Sequence, residues 1–270
     1  MKLAVVSDIH GNLLALRAVV ADAGAVDGWL NLGDIVSGPL WPEETAQWLI
    51  ERGWPTIAGN HERQVLTQTR ERMGPPGRPK GEYRSAQHEG TPVSLTDRYA
   101  AQRLSATSWG WLAALPGAMS PLAGLRCVHG TPGSDLQYLL ETVVPNGLRA
   151  ATDDEVTQRL AGLQTELLLC GHTHLPRDRR LGTLRIVNPG SVGLPAYDDI
   201  HPHPHVVETG SPHARYAVVE RLADAWSVNL RAVAYDWETA ARQAEANGRG
   251  DWADALRSGH VGRTEADLKP

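Results

Sequence analysis

Short apolar runs in this chain end repeatedly in residues that can hold a metal ion. Leu3 to Ser7 ends at Asp8 and His10, and Trp29 to Leu32 ends at Gly33 and Asp34. Thr56 to Ala58 ends at Gly59, Asn60 and His61, Leu125 to Val128 at His129, and Leu167 to Cys170 at Gly171, His172 and His174. Taken singly, each piece is weak, because Asp-x-His and His-x-His arise often by chance and Asn-His can be turn chemistry. Recurrence at five run ends is the stronger signal. Imidazole with carboxylate and amide oxygen, and no thiolate, suits Mn, Fe, Zn, Co or Ni, with manganese favoured, rather than a structural zinc knuckle or an all-oxygen calcium cage. More candidate ligands are present than one ion needs with room for a substrate, so two divalent ions sharing Asp34 as a bridge are expected. Their positive charge exceeds that of the two carboxylates, Asp8 and Asp34, and such a site attracts an anion such as a phosphate ester.

Positioning these residues requires elements that bring the run ends together. Leu13, Leu14, Leu16, Val19 and Val20 recur at helical spacing until Gly24, and a second helical stretch runs from about Glu43 to Arg52. Strands alternating with helices imply βαβ units and a largely parallel sheet, whose ligands sit outside the carboxyl ends of the strands. Thr152 to Glu155 reads as a capping box for a helix through about Leu160. Leu184 to Val187 reads as a strand leading into Asn188-Pro189-Gly190-Ser191-Val192-Gly193, Tyr216 to Val219 and Trp226 to Leu230 as a strand pair, and Trp237 to about Arg257 as an amphipathic helical tail. Proline and glycine from Gly74 to Gly81, and the His201-Pro202-His203-Pro204-His205 tract, break this grammar. The expectation is one domain over 1–270, with a loop or cap excursion around 63–105 and a loop at 195–212.

Composition sets outer bounds. The chain has 270 residues, 41% hydrophobic and 21% charged, near the soluble globular average. A net charge of −5 argues against a stable nucleic-acid complex. No apolar window is long enough to span a bilayer, and the run after Lys2 stops too early for a signal-peptide core, so a cytoplasmic protein without membrane attachment is expected. Cys127 and Cys170 each close an apolar run and read as buried thiols rather than a disulfide. The sequence gives no oligomeric state.

With the blocks Asp-x-His, Gly-Asp, Gly-Asn-His-Glu, His and Gly-His-x-His in order from Asp8 to His174, the chain resembles the calcineurin-like metallophosphoesterase superfamily over about two thirds of its length. The surroundings of these blocks, including His129-Gly130-Thr131-Pro132 and Asn188 to Gly193, look like a bacterial phosphodiesterase-like branch. Ser37 and Gly38 after Val36 depart from the Gly-Asp-x-Val-Asp-Arg-Gly block of protein phosphatases. The resemblance implies a four-layer αββα sandwich of two mixed β-sheets flanked by helices, within the α/β class. It also implies that Asp8, His10, Asp34 and His174 hold one ion, and that Asp34, Asn60, His129 and His172 hold the other. His61 would meet the substrate, with Glu62 in support.

The expected activity is therefore hydrolysis of a small phosphate ester by a metal-bridging hydroxide, with His61 assisting the leaving group. A phosphodiester, possibly nucleotide-like, is favoured. A phosphomonoesterase and a metal- or nucleotide-binding sensor or scaffold without turnover are the alternatives. The basic stretch from Arg63 to Arg84 is either a substrate-binding arch or a solvated loop, and His201, His203 and His205 offer only a weak case for a further metal site.

Overall fold

Alternation along the first strand, β1 (Lys2–Val6), shows how the core is organised. Leu3 and Val5 enter one buried cluster, while Ala4 and Val6 enter another on the opposite face. A strand buried on both faces needs a layer on each side, which is why its sequence is continuously apolar. The computed structural model describes residues 1–68, 94–223 and 225–268.

After β1 come α1 (Leu13–Ala23), β2 (Gly28–Asn31), α2 (Pro42–Arg52), α3 (Asn60–Gln68), α4 (Leu95–Ala101) and α5 (Ala106–Ala114). The middle of the chain forms β3 (Ala118–Leu122), β4 (Leu125–Val128), β5 (Glu141–Val144), β6 (Gly147–Ala150), α6 (Asp153–Leu160), β7 (Leu167–Leu169), β8 (Arg177–Leu181) and β9 (Leu184–Asn188). It closes with β10 (Ala196–Asp199), β11 (His205–Glu208), β12 (Ala214–Arg221), β13 (Trp226–Val233), α7 (Trp237–Ala246) and α8 (Gly250–Ser258).

Two mixed sheets face one another. The first has the order β13, β12, β1, β2, with only β1 and β2 parallel. The second has the order β3, β4, β7, β9, β8, with β4, β7 and β9 parallel and an antiparallel strand at each edge. Leu3, Val5, Leu30, Leu125, Leu167, Leu169 and Val187 fill the space between the sheets. On the outer face of the first sheet, Leu16 and Val19 of α1 and Leu49 of α2 pack with Ala4 and Val6, and partly buried Trp109 and Trp111 of α5 join them. Val156 and Leu160 of α6 cover the second sheet through Leu168 and Ile186. The result is the expected αββα sandwich. The sheets are mixed rather than largely parallel because antiparallel strands join each: β12 and β13, read from the sequence as a pair, in the first, and β3 and β8 at the edges of the second.

Other expectations are refined by particular residues. The run Thr56 to Ala58 makes only an isolated parallel bridge from Thr56 to Asn31, since the preceding Pro55 has no N–H to extend a ladder. The 195–212 segment is not simply a loop: β10 and β11 pair as an antiparallel hairpin from Ala196–Glu208 to Asp199–His205. Alternating burial from His205 to Glu208 is what holds that strand, and the proline-rich part is confined to its turn. Within 63–105, helices α3 and α4 occupy the ends, and 69–93 lie outside the described residues. The helical tail breaks into α7 and α8 around Gly248, whose φ of +76° suits glycine. The capping box on α6 forms as read, and both cysteines are free and buried. Among the described residues no helix is long and apolar enough to cross a membrane.

Two substitutions separate core from surface. Leu169→Ala, at a fully buried site between the sheets, should lower unfolding free energy by about 2–5 kcal/mol with an unchanged denaturant slope. Thr152→Ala removes only an exposed cap and should cost about 1 kcal/mol in the same urea titration.

Candidate metal centre

Every expected ligand lies just beyond the carboxyl end of a strand or bridge, and short backbone bonds weave these tips together. The Asp8 N–H donates to the Gly33 carbonyl at 2.9 Å, His10 N–H to Asp34 at 3.0 Å, and Gly11 N–H to Ile35 at 2.8 Å. Across the sandwich, the Gly193 N–H and the Ser191 hydroxyl both donate to the Asp8 carbonyl, at 3.0 and 2.8 Å. Asp8, His10 and His174 form one group of converging ligand atoms, and Asp34, His129 and His172 form a second. Asn60 Oδ1 joins the second group, 3.1 Å from His129 Nε2. The first group lacks Asp34, the implied bridge, which is gathered only with the second; imidazole, carboxylate and amide oxygen brought together in this way are a donor set that suits cations.

Backbone carbonyls decide which ring nitrogen of each histidine faces inward. Nδ1 of His10 is 2.7 Å from the Ser37 carbonyl, Nδ1 of His129 is 2.8 Å from Leu32, and Nδ1 of His174 is 2.8 Å from Leu194. In His172 the order is reversed, with Nε2 3.0 Å from the Leu136 carbonyl. A nitrogen that faces a carbonyl carries the proton, so the opposite nitrogen presents a lone pair. Nε2 of His10 therefore confronts Nε2 of His174 at 3.1 Å, acceptor against acceptor. Asp34 Oδ2 lies 3.0 Å from His129 Nε2, beside Asn60 Oδ1. Buried acceptors are stable at such distances only with a cation or a proton between them.

Strain in the backbone concentrates at the same place. Among the described residues, the non-glycine positions with positive φ are Asp8, His10, Asp34, Ala161, His172 and His174. All but Ala161 are expected ligands. Left-handed backbone at non-glycine residues persists where surrounding structure enforces it, commonly at functional sites. Gly59 makes the close approach possible, since a Cβ there would lie 2.3 Å from Asp34 Oδ1 and 2.8 Å from the Asp34 backbone nitrogen. Glu62, fully buried, accepts from the N–H groups of Asp34 and Gly59 through one oxygen and of Ile35 through the other, at 2.8, 2.9 and 2.7 Å. Its supporting position is thus a backbone brace.

Electrostatics of the metal-free chain follow from this crowding. Burial opposes charge on His129, but Asp34 beside it raises its pKa to about 10, so a proton stands where a cation would. Burial and the neighbouring His174 lower His10 to about 3, and burial and His129 lower His172 to about 4. Burial tends to raise Asp34, yet His129 and His61 hold it well below the usual carboxylate range.

His61 enters neither group of ligand atoms, although its backbone N–H donates to Asp34 Oδ1 at 2.9 Å and its ring meets that of His10 edge-on with centroids 5.4 Å apart. Its side chain is 25% exposed, and Nδ1 lies 2.9 Å from Asp97 Oδ1, whose carboxylate is buried. Asp97 on α4 was missed by sequence reasoning because Ser94-Leu95-Thr96-Asp97 reads as ordinary capping, and Ser94 does cap that helix. Arg63, first of the basic stretch, is held by Asp135 in a two-pronged pair at 2.9 and 2.8 Å, while Arg70, Arg72, Arg78, Lys80 and Arg84 lie outside the described residues. Tyr138 and Tyr197, also unanticipated, pack edge-on against His172 and His174. His201 and His203 are exposed and His205 turns inward, and none of them enters either ligand group.

Comparison with known proteins bears on the family and the fold. A family model described as calcineurin-like phosphoesterase matches residues 1–176. The solved structure of a metallophosphoesterase from Sphaerobacter thermophilus is 24% identical, covering 95% of this chain and 99% of that one with a TM-score of 0.68. A hypothetical protein from Pyrococcus horikoshii is 18% identical, covering 97% and 99% with a TM-score of 0.67. At these identities the likeness is one of fold. Among curated proteins none matches the chain.

The His61–Asp97 pair predicts a pH signature in chelated protein. Burial works against the imidazolium, but Asp97 and Asp34 raise His61 from 6.5 to about 9. A raised folded pKa gives stability that is fully present below the unfolded value near 6.5 and lost as pH rises through about 9. The stability gap between wild type and Asp97→Asn should therefore shrink across pH 6.5 to 9 in urea titrations. A gap that stays constant over that window would remove the imidazolium from the pair.

Proposed function

The chain belongs to the calcineurin-like phosphoesterase family, and from that premise we propose that it is a phosphodiesterase working with two divalent metal ions. The observation that carries the reading is the buried contact of His10 Nε2 with His174 Nε2 at 3.1 Å, repeated in kind at His129, Asp34 and Asn60. Facing acceptors of this kind are what a cation would need, and where no cation lies between them a proton must, as at His129. In this reading Asp8, His10, Asp34 and His174 hold one ion, and Asp34, Asn60, His129 and His172 hold the other. Manganese is the first choice within the Mn, Fe, Zn, Co and Ni group. When bound, the ions would supply a water of lowered pKa and neutralise charge on the phosphoryl oxygens.

The protein's own groups do the rest. Asp97 accepts from Nδ1 of His61, fixing the ring and favouring its charged form, so that Nε2 holds a proton for the departing oxygen. With every proposed ligand but His172 buried, this partly exposed imidazole makes the His61 side the face on which an ester meets the site. A diester is favoured over a monoester because Arg63, the basic residue nearest His61 in sequence, is already neutralised by Asp135. It brings no full charge to the second anionic oxygen of a monoester. A small, nucleotide-like diester met in the cytoplasm completes the proposal.

The deciding experiment is a metal-reconstituted panel of an aryl diester, an aryl monoester, cyclic nucleotides and dinucleoside polyphosphates. Diester turnover with two ions per chain is expected, and two bound ions without turnover would leave a metal-binding sensor or scaffold. Asp34→Asn should lower occupancy of both ions, whereas Asn60→Ala should weaken mainly one. His61→Ala should keep both ions and lower kcat by about 10²- to 10⁴-fold, more on an alkyl ester than on a nitrophenyl ester that leaves without a proton. Loss of an ion in that variant would move His61 into the ligand set.

A further inference from the structure

The β10–β11 hairpin lies beyond the residues matched by the family, yet it reaches both histidines of the Gly-His-x-His block. The Tyr197 hydroxyl is 2.7 Å from the Tyr138 hydroxyl, which is 3.2 Å from His205 Nε2. His205 Nδ1 is 2.8 Å from the His203 carbonyl and must donate to it. In the neutral ring Nε2 is then an acceptor, so Tyr138 donates to His205 and receives the proton of Tyr197. The competing partner of Tyr197 is the His172 carbonyl, at a longer 3.3 Å. The direction of the whole chain is thereby fixed.

This chain joins two segments across the candidate ligands. Tyr138 sets its ring edge-on to His172 with centroids 5.0 Å apart, and Tyr197 does the same to His174 at 4.7 Å. The segment that carries Tyr138 also supplies the Leu136 carbonyl that orients His172. His205, 6% exposed, anchors the hairpin end, so one histidine of the His-Pro-His-Pro-His tract has an inward task. His174 has a separate fastening through Leu194. His172 takes from the Tyr138 segment the carbonyl that orients its ring and one of two ring contacts, the other being His129 with centroids 5.2 Å apart.

We propose that the Tyr197–Tyr138–His205 chain is a latch that holds His172, and to a lesser degree His174, in the orientation that binds metal, and so sets the affinity for the ion on the His172 side. The proposal rests on the ligand roles given above to His172 and His174. Partners behind metal-binding imidazoles typically change metal affinity by about 10- to 100-fold when removed, because a ring free to turn must be ordered again on binding.

The test titrates the chelated full chain with cobalt(II), reading the two dissociation constants by visible absorption, with urea stability measured alongside. Tyr197→Phe and Tyr138→Phe keep both rings and break the latch. Each should weaken the ion on the His172 side by about 10- to 100-fold, and the double variant should be no worse than either single one, as expected for members of one chain. His205→Gln retains an acceptor and should bind like wild type, whereas His205→Ala should match the phenylalanine variants. Wild-type affinities in the phenylalanine variants, whatever their urea stability, would overturn the latch while leaving the metal reading intact. Additive losses in the double variant would overturn the single-chain form. A wild-type chain that takes fewer than two cobalt ions would overturn the metal reading, and the latch with it.

Discussion

Lone pairs held against lone pairs are the condition that the rest of the molecule serves. His10 Nε2 and His174 Nε2 at 3.1 Å, with Asp34, His129 and Asn60 arranged alike, would drift apart in a pliable setting. Three devices prevent it. Ring nitrogens on the far side are tied to main-chain carbonyls of Ser37, Leu32, Leu194 and Leu136, so no histidine can turn its proton inward without breaking a buried bond. Five of the expected ligands take left-handed backbone, which aims side chains from consecutive tips at one point. Glu62 gathers three N–H groups from the Asp34 and Gly59 turns, locking two tips to one helix.

The sandwich explains why such strain is tolerated. β1 and β7 are buried on both faces, so their tips cannot relax outward without opening an interface filled by Val5, Leu167 and Leu169. Placing the first group across β1, β7 and His174, and the second across β2, β4 and β7, makes the site a seam between the sheets. Neither sheet holds a complete set. Packing between the layers and geometry of the site are consequently one property.

Much of this was legible in the sequence because ligand chemistry sits at run ends. Asp8, Asp34, His129, His172 and His174 stand where apolar strands stop, and position alone separated them from the exposed His201 and His203. What escaped reading involves groups without a signature. The carbonyls of Ser37, Leu32, Leu194 and Leu136 are backbone atoms and every residue has one. Asp97 reaches His61 across a long sequence separation and looks like an ordinary first-turn residue of α4, whose N–H the Ser94 hydroxyl caps. The β10–β11 hairpin was obscured by prolines that prove to lie in its turn, although the alternation from His205 to Glu208 was a usable signal.

Helix α3 shows how one short element divides labour between binding and chemistry. Asn60 begins it and points its oxygen toward His129, His61 follows and leans on Asp97, Glu62 turns back beneath the Asp34 and Gly59 turns, and Arg63 reaches Asp135. Successive residues on a helix face different directions, about 100° apart, so four neighbours in sequence can address four separate partners. The consequence is that His61 is held without entering either group of converging ligand atoms: Asn60 and Glu62 fix the backbone on either side, Asp97 fixes the ring, and a quarter of the side chain stays open to solvent. Asp97 and Asp135 come from different segments, α4 and the stretch after β4, and through His61 and Arg63 both bear on the helix that carries the imidazole. In the proposed role of proton donor a ring held in this way needs little reorganisation when an ester arrives, and its Nδ1 is set by Asp97, which belongs to neither group of converging ligand atoms.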